Sequence, residues 1–271
     1  MADQIKVAVC GALGRMGQRV VDTVLSRRDM VLAGAVERPD CPLLGQNIGP
    51  LVGNGSLNIN LAENLTEGAG EASIYIDFTS VDSSMSYLDE AVKLGLAAVI
   101  GTTGLNNEHE MRLKEAAKHI PIIWAPNMSI GVNAMYKLAA AMTRMLGPEY
   151  DIEIVEAHHR HKKDAPSGTA LRLQETVAKA RNLSPEKTLV TGRAGQVGAR
   201  TRDEVGVLAL RGGDIVGDHT IYFCGPGERM ELTHRAQTRD TFAQGAVRAA
   251  AWLAGKEPGL YSIDDTISFD M

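Results

Sequence analysis

In the first half of the chain, short apolar runs alternate with amphipathic stretches about five times over. The runs are Ile5–Val9, Met30–Val36, Ser73–Phe78, Ala97–Ile100 and Ile120–Trp124. They are short and largely apolar, and Ile5–Val9 is rich in β-branched residues, the pattern of a strand covered on both faces. Between them, Gln18–Ser26, Ser83–Leu94 and Glu108–Lys118 read as helices, with Val20, Val21, Val24 and Leu25 on one face of the first and Met85, Leu88, Ala91 and Val92 on one face of the second. Parallel strands need a crossover, and a helix supplies it, so this alternation predicts a doubly wound parallel sheet of the α/β class. Ligands of such sheets sit outside the carboxyl ends of the strands, and the glycine- and threonine-rich turns of this chain fall at that edge. Residues 39–70 are loop-rich, with a weak strand signal near Leu57–Leu61.

Beyond residue 130 the pattern changes. A long helix, Val132–Leu146, precedes a strand at Asp151–Ala157, a helix at Thr169–Arg181, and strands at Val205–Arg211, His219–Phe223 and Arg229–His234. Cys224-Gly-Pro-Gly-Glu228 makes a tight hairpin between the last two. This is an α+β body with a mixed or antiparallel sheet. The helix at Thr241–Leu253 could belong to either body by periodicity alone.

Composition narrows the function classes. The 271 residues are 44% hydrophobic and 23% charged, enough for one large core or two smaller ones. A net charge of −5 argues against a general nucleic-acid binder, which needs a broad basic face. Cys10, Cys41 and Cys224 are widely spaced and odd in number, as expected in a reducing compartment. The N-terminus runs straight into a glycine loop with no signal peptide, and no apolar stretch is long enough to span a bilayer, so a cytoplasmic protein is expected.

Gly11-Ala12-Leu13-Gly14-Arg15-Met16-Gly17 stands between the first strand and the first helix. Glycines there let the backbone approach a pyrophosphate, and a helix N-terminus offers free N–H groups. The spacing is G-x-x-G-x-x-G, which a purely structural turn could also use. Glu37 lies 20 residues after Gly17, at the end of the second strand, where a carboxylate would take an adenosine ribose hydroxyl. A carboxylate favours NADH; the adjacent Arg38 could pair with the 2′-phosphate of NADPH or be a solvated charge.

The acidic chain reverses sign locally at His158-His-Arg-His-Lys-Lys163, followed by Asp164-Ala-Pro-Ser-Gly-Thr169. A metal site is disfavoured, because Arg160, Lys162 and Lys163 repel a cation and no thiol or acidic ligand stands at a familiar spacing. A solvated charge run is the bland alternative. The pattern fits an anion pocket better: Ser167-Gly168-Thr169 opens a helix, whose N–H groups and hydroxyls would hold a carboxylate, and histidine and lysine nearby would bind a second one and carry protons. A dicarboxylate suits such a site. His109 and His119 read as surface residues, and His219 and His234 as structural ones.

GALGRMG at 11–17, IDFTS at 76–80, IGTTG at 100–104, APNMSIGVN at 125–133 and EAHHRHKKDAPSGTA at 156–170 together resemble the bacterial dihydrodipicolinate (4-hydroxy-tetrahydrodipicolinate) reductase family of lysine and diaminopimelate biosynthesis. GDIVGDHT at 213–220 and GERMELTHRAQTRDTFAQGAVRAAAWL at 227–253 extend the resemblance to essentially the whole chain. The resemblance implies a Rossmann domain over 1–129, completed by 240–271, and a substrate-binding and tetramerisation domain over 130–239. It implies that Gly11, Ala12, Leu13, Gly14, Arg15 and Met16 hold the pyrophosphate, Glu37 the ribose, and Arg38 a 2′-phosphate when NADPH is used. Gly101, Thr102, Thr103, Ala125, Pro126, Asn127 and Met128 would line the nicotinamide side. His158 would be the acid/base, Lys162 a proton donor, and His159, Gly168 and Thr169 substrate contacts, with no metal, no nucleic acid and no membrane involved. Leu13 is bulkier than the glycine or alanine common at that point of the loop. Two other readings compete: another NAD(P)-dependent amino-acid dehydrogenase of similar architecture, and a dinucleotide sensor without catalysis, against which the presence of both His158 and Lys162 argues.

Overall fold

The structure, a computed structural model, describes residues 4–267. It divides into two compact units, Met1–Ile130 with Arg239–Met271, and Gly131–Thr238. In the first unit, chain order runs β1 (Ile5–Cys10), α1 (Arg15–Leu25), β2 (Met30–Val36), α2 (Ile48–Leu51), α3 (Leu65–Gly68), β3 (Ile74–Asp77), α4 (Val81–Leu94), β4 (Ala97–Ile100), α5 (Asn107–Ala116) and β5 (Pro121–Trp124). In the second it runs α6 (Ile130–Leu146), β6 (Asp151–His158), α7 (Gly168–Ala180), α8 (Pro185–Thr188), β7 (Leu189–Val190), β8 (Val205–Arg211), β9 (Gly217–Gly225) and β10 (Glu228–Ala236). The chain then returns to the first unit as α9 (Asp240–Leu253) and β11 (Gly259–Tyr261).

The first sheet has the order β11-β5-β4-β3-β1-β2, every pair parallel. The doubly wound sheet expected from the alternation is therefore present. Its central strands are largely apolar because both faces are covered. Within β1, Val7 and Val9 join a core with Val20, Val21 and Val24 of α1 and Ala243, Ala246, Val247 and Ala250 of α9. Ala8 and Cys10 point the other way, into a core with Met85, Leu88 and Ala91 of α4 and Leu113 of α5. Strand order reverses beside β1, whose neighbours are β2 and β3, the point where open α/β sheets bind ligands.

The weak strand signal at Leu57–Leu61 yields no full strand, only an isolated antiparallel bridge of Asn60 with Asn47. That segment spends its backbone groups on the neighbouring loop instead: Ile48 N–H on Ile59 O, Leu61 N–H on Gln46 O and Gly45 N–H on Leu61 O. Asn47 Oδ1 takes the N–H groups of Gly49 and Leu57, which keeps the loop closed on itself. His109, read as a plain surface residue, closes a capping box: Asn106 Oδ1 accepts its N–H, and its Nδ1 accepts the Asn106 N–H at 3.1 Å.

The second sheet is mixed, β10-β9-β6-β8-β7: β10/β9 and β9/β6 are antiparallel, β6/β8 and β8/β7 parallel. One face packs on α6 and α7 through Ile152, Ile154, Val205, Val207, Ile221 and Phe223. Leu208, Leu210 and Met230 of the same sheet are exposed.

Candidate active site

At the carboxyl end of β1 the chain turns through Gly11 with φ +71°, in the left-handed region that favours glycine. Gly11 and Ala12 donate their N–H groups to Val36 O at 2.8 and 3.0 Å, which ties the loop to the end of β2. A Cβ on Gly17 would stand 1.9 Å from Gly11 O, so the helix can approach its own loop only because residue 17 has no side chain. Gly14 caps α1 with no side-chain bond, leaving the first turn at Arg15 and Met16 to receive an anion. Ala12 is buried in the core, so it serves the loop through its backbone. The bulky Leu13 packs against the same core and leaves the turn intact. Glu37 is aimed at the loop: Oε2 accepts Leu13 N–H at 3.1 Å and Oε1 accepts Arg38 N–H at 3.1 Å. Arg38 projects into solvent and pairs with Asp40 at 3.1 Å.

Beside this loop lies a cleft of about 430 Å³, lined by Arg15, Met16, Phe78, Thr79, Gly101, Thr102, Thr103, Pro126, Asn127, Met128 and Phe242. It brings three sequence-predicted turns together. Gly101 faces the Phe78 ring, where a Cβ would lie 2.2 Å away. Ala125 sits behind the cleft, its N–H on Ile100 O. The 125–128 turn is backed by α9: a Cβ on Gly245 would meet Met128 O at 1.7 Å.

Phe78, Thr79 and Phe242 line the cleft but were not singled out from the sequence. Neither was Asp77, which organises it. Asp77 is fully buried and accepts from Thr79 N–H (3.0 Å), Thr79 Oγ1 (2.6 Å), Thr102 Oγ1 (3.0 Å) and Ser84 Oγ. One side chain thereby joins the loops after β3 and β4. Burial pushes its carboxyl above the ordinary value, and the hydroxyl and amide donors only partly offset that.

In the second unit, the basic run is held in place at its start. His158 ends β6, its C=O accepting from Gly212 N–H, and Arg160 N–H donates to Gly213 O. His158 is buried, while Arg160, His161 and Lys163 are exposed. The solvated-run reading thus holds for these three and fails for His158. His158 Nδ1 lies 2.6 Å from Glu156 Oε2. Glu156 is fully buried and also binds Arg211 through two parallel bonds of 2.7 and 2.8 Å and Ser167 N–H at 3.0 Å. Burial pulls its carboxyl upward, but Arg211, His158 and the Ser167 N–H together outweigh this and hold it below the ordinary range. For His158 burial is the largest influence and depresses the imidazole, Glu156 opposing it.

Lys162 Nζ pairs with Asp164 Oδ1 at 2.9 Å, so a carboxylate, and not only cations, adjoins it. Ser167 was expected to offer its hydroxyl to a carboxylate; instead that hydroxyl caps α7 at Ala170 N–H and meets His219 Nε2 at 3.0 Å. Gly168 faces open space where a side chain would stand, so a ligand can reach the start of α7 there; Thr169 follows in its first turn. His159 is half-buried, near His161 at 6.2 Å between ring centroids. His219 is buried 5.3 Å from the His158 ring, edge to face, and desolvation depresses it to about 3.

Glu156, Arg211 and His219 thus complete a site that the sequence reading built from His158, His159, Lys162 and the Ser167-Gly168-Thr169 helix opening. A signal for Glu156 was present: in DIEIVEAH the parity of Ile152 and Ile154 continues into Glu156 and His158, placing an acid and a histidine on one buried face.

Residues 5–128 match the family model for the N-terminal part of dihydrodipicolinate reductase, and residues 131–267 that for its C-terminal part. The 4-hydroxy-tetrahydrodipicolinate reductase of Syntrophotalea carbinolica is 48% identical over 263 residues, 97% of this chain and 98% of that protein. The protein of the same name from Anaeromyxobacter dehalogenans is 45% identical over 262 residues, 97% of each. Among solved structures, a dipicolinate-bound dihydrodipicolinate reductase from Paenisporosarcina sp. TG-14 has the same fold, with a TM-score of 0.74 over 96% of this chain and 97% of that one, at 24% identity. The chain belongs to the dihydrodipicolinate reductase family.

Proposed function

We propose that this chain reduces 4-hydroxy-tetrahydrodipicolinate to tetrahydrodipicolinate with a hydride from NADH or NADPH, a step of lysine and diaminopimelate biosynthesis. Family membership supports the reaction. The observation that carries the catalytic assignment is the 2.6 Å contact between His158 and the buried Glu156, on the strand that leads into the opening of α7. In this reading the first unit binds the dinucleotide, and the second binds substrate and builds a homotetramer through its sheet, where Leu208, Leu210 and Met230 are exposed. The cysteines Cys10, Cys41 and Cys224 are free, which fits a cytoplasmic enzyme, and no helix among the described residues is long and apolar enough to cross a membrane.

The glycine loop fits a dinucleotide: its glycines are sterically required, its helix start is uncapped, and Glu37 is fixed with acceptor capacity for ribose hydroxyls. Gly11–Met16 would hold the pyrophosphate, Glu37 the adenosine ribose, and Gly101–Thr103 with Ala125–Met128 the nicotinamide. Glu37 suits NADH, and Arg38 stands ready for a 2′-phosphate, so both cofactors are used. The dipicolinate of the Paenisporosarcina protein supports a six-membered-ring dicarboxylate as the substrate class. Gly168 and Thr169 would take one carboxylate at the helix start, and His159 the other.

When bound, the nicotinamide supplies the hydride to ring C4. The protons come from the protein. His158 rests neutral and takes the ring proton at C5, next to the imine carbon, while Lys162 protonates the departing C4 hydroxyl, releasing water. With the hydride at C4, His158 returns its proton to C5, and Lys162 is reprotonated from solvent. One proton is consumed per turnover, as the balance of the reaction requires. His158→Ala and Lys162→Ala should each lower kcat by about 10²-fold or more, the scale of a lost general acid or base. NADH affinity should hardly change. Steady-state assays with freshly generated substrate and equilibrium NADH titration measure the two quantities. Unchanged turnover in both variants would remove the assignment.

A further inference from the structure

We infer that Glu156 is a positioning residue: held ionised by Arg211, it fixes His158 as the Nδ1–H tautomer and leaves Nε2 as the bare acceptor. The inference rests on the proposed role of His158 and adds how the protein prepares that residue.

Glu156 Oε2 receives His158 Nδ1 and Arg211 Nη1; Oε1 receives Arg211 Nη2 and the Ser167 N–H. A fully buried carboxylate with two contacts on each oxygen, one partner a guanidinium, is stable only as an anion. An anion has no proton to donate, so the 2.6 Å contact requires the hydrogen on His158 Nδ1. In the neutral imidazole Nε2 is then unprotonated. Space is reserved for it at residue 217, where a Cβ would lie 3.1 Å from His158 Nε2.

The charged and titratable groups around His158 come from every neighbouring element. They are Glu156 on its own strand, Arg211 on β8, His219 on β9, and Lys162 with Asp164 on the following loop. His219 is buried against the Ser167 hydroxyl and adds no charge near neutrality. Arg211 binds the partners of both proton-handling groups: it clamps Glu156, and its Nη2 also donates to the carbonyl of Asp164 at 2.7 Å, the residue whose side chain holds Lys162. It therefore anchors the loop and the histidine together.

Histidine-labelled enzyme, with His158 assigned by comparison with His158→Gln, reports the tautomer by ¹⁵N NMR without reference to activity. The wild type should show the Nδ1–H form; an Nε2–H form overturns the inference. In Glu156→Gln the preference should weaken, and His158 should titrate at lower pH, because the carboxylate that favours its charged form is gone. An unaltered tautomer and titration would equally overturn it. Arg211→Lys, which keeps the charge but loses the two-pronged grip, should produce the same change in smaller degree and serves if Glu156→Gln does not fold. In turnover, Glu156→Gln should lower kcat by about 10- to 100-fold, the range seen when partners orienting metal-bound histidines are lost. KM should stay within about twofold, and the acidic limb of kcat, where His158 must be neutral, should move to lower pH. If the NMR changes appear but turnover is unaffected, the positioning stands and the catalytic assignment of His158 falls.

Discussion

Each unit of this molecule buries one carboxylate completely beside its functional cleft or loop, and the two are held in opposite ways. Asp77 is surrounded by neutral donors, the hydroxyls of Thr79, Ser84 and Thr102 and one backbone N–H. Glu156 has a backbone N–H too, but its other partners are a guanidinium and an imidazole. Burial is the largest influence on both. It wins at Asp77, whose carboxyl is raised, and loses at Glu156, whose carboxyl is lowered. At Asp77 the hydroxyl and amide donors do not replace the solvation of an anion; at Glu156 the two-pronged guanidinium, with the imidazole and the N–H, does. The difference suits the two tasks. Asp77 joins two loops, which either protonation state can do with hydroxyl partners. Glu156 must remain an acceptor to keep a proton on His158.

The largest effect should come from breaking the cation. Arg211→Ala leaves a buried anion without its counter-charge and should destabilise the protein by about 3 kcal/mol or more, the lower part of the range for a broken buried ion pair because Arg211 keeps about a fifth of its side chain exposed. Thr102→Val removes one of four donors to Asp77 at nearly constant volume and should cost about 1 kcal/mol. Urea denaturation measures both. Equal losses would mean that the charge of Arg211 contributes nothing special.

The pH dependence should be opposite in sign at the two sites. Asp77 has a folded value above its ordinary 3.8, so the folded state binds the proton more tightly. Its contribution to stability is present at low pH and is lost as pH rises from that value through the folded one. Glu156 lies below its ordinary 4.5, so its contribution is present above that value and is lost as pH falls through the folded one. Relative to Asp77→Asn, the wild type should therefore gain stability on acidification; relative to Glu156→Gln it should lose it below about pH 4.5. Midpoints of urea denaturation across the acid range decide the matter, and parallel curves for the two variants would refute the contrast.

The two carboxylates also differ in how visible they were in the sequence. The apolar runs, their helices and the glycine loop report local periodicity, and strands such as Met30–Val36 and Ala97–Ile100 emerge with their read bounds. The strand Gly259–Tyr261 was missed, because three residues carry no period and the strand exists only through pairing with β5. The site was legible where its residues are contiguous, as in the basic run and the turns of the cleft. Asp77, Arg211 and His219 were not, since their roles depend on partners 25, 55 and 52 residues away. Glu156 stood between these cases. Its place on the buried parity of β6 could be read, but an acid in that position has meaning only once Arg211 is known to face it.

The smallest stability effect belongs to a third kind of carboxylate setting, at the surface. Arg38 pairs with Asp40 where both side chains are at least 70% exposed. Screening and side-chain entropy leave such pairs about 0–1 kcal/mol, so Arg38→Ala should shift the denaturation midpoint hardly at all. Its effect should instead appear in cofactor choice. A 2′-phosphate lost from NADPH-bound contacts would raise KM for NADPH several-fold, while KM for NADH, which depends on Glu37, should hold. Here the exposure that makes the ion pair weak is what frees the guanidinium to exchange Asp40 for a phosphate, since little stability is lost in the exchange. A steady-state comparison of the two cofactors tests this. An equal change for both would show that Arg38 acts through the loop it shares with Glu37, whose Oε1 accepts the Arg38 N–H, and not through the phosphate.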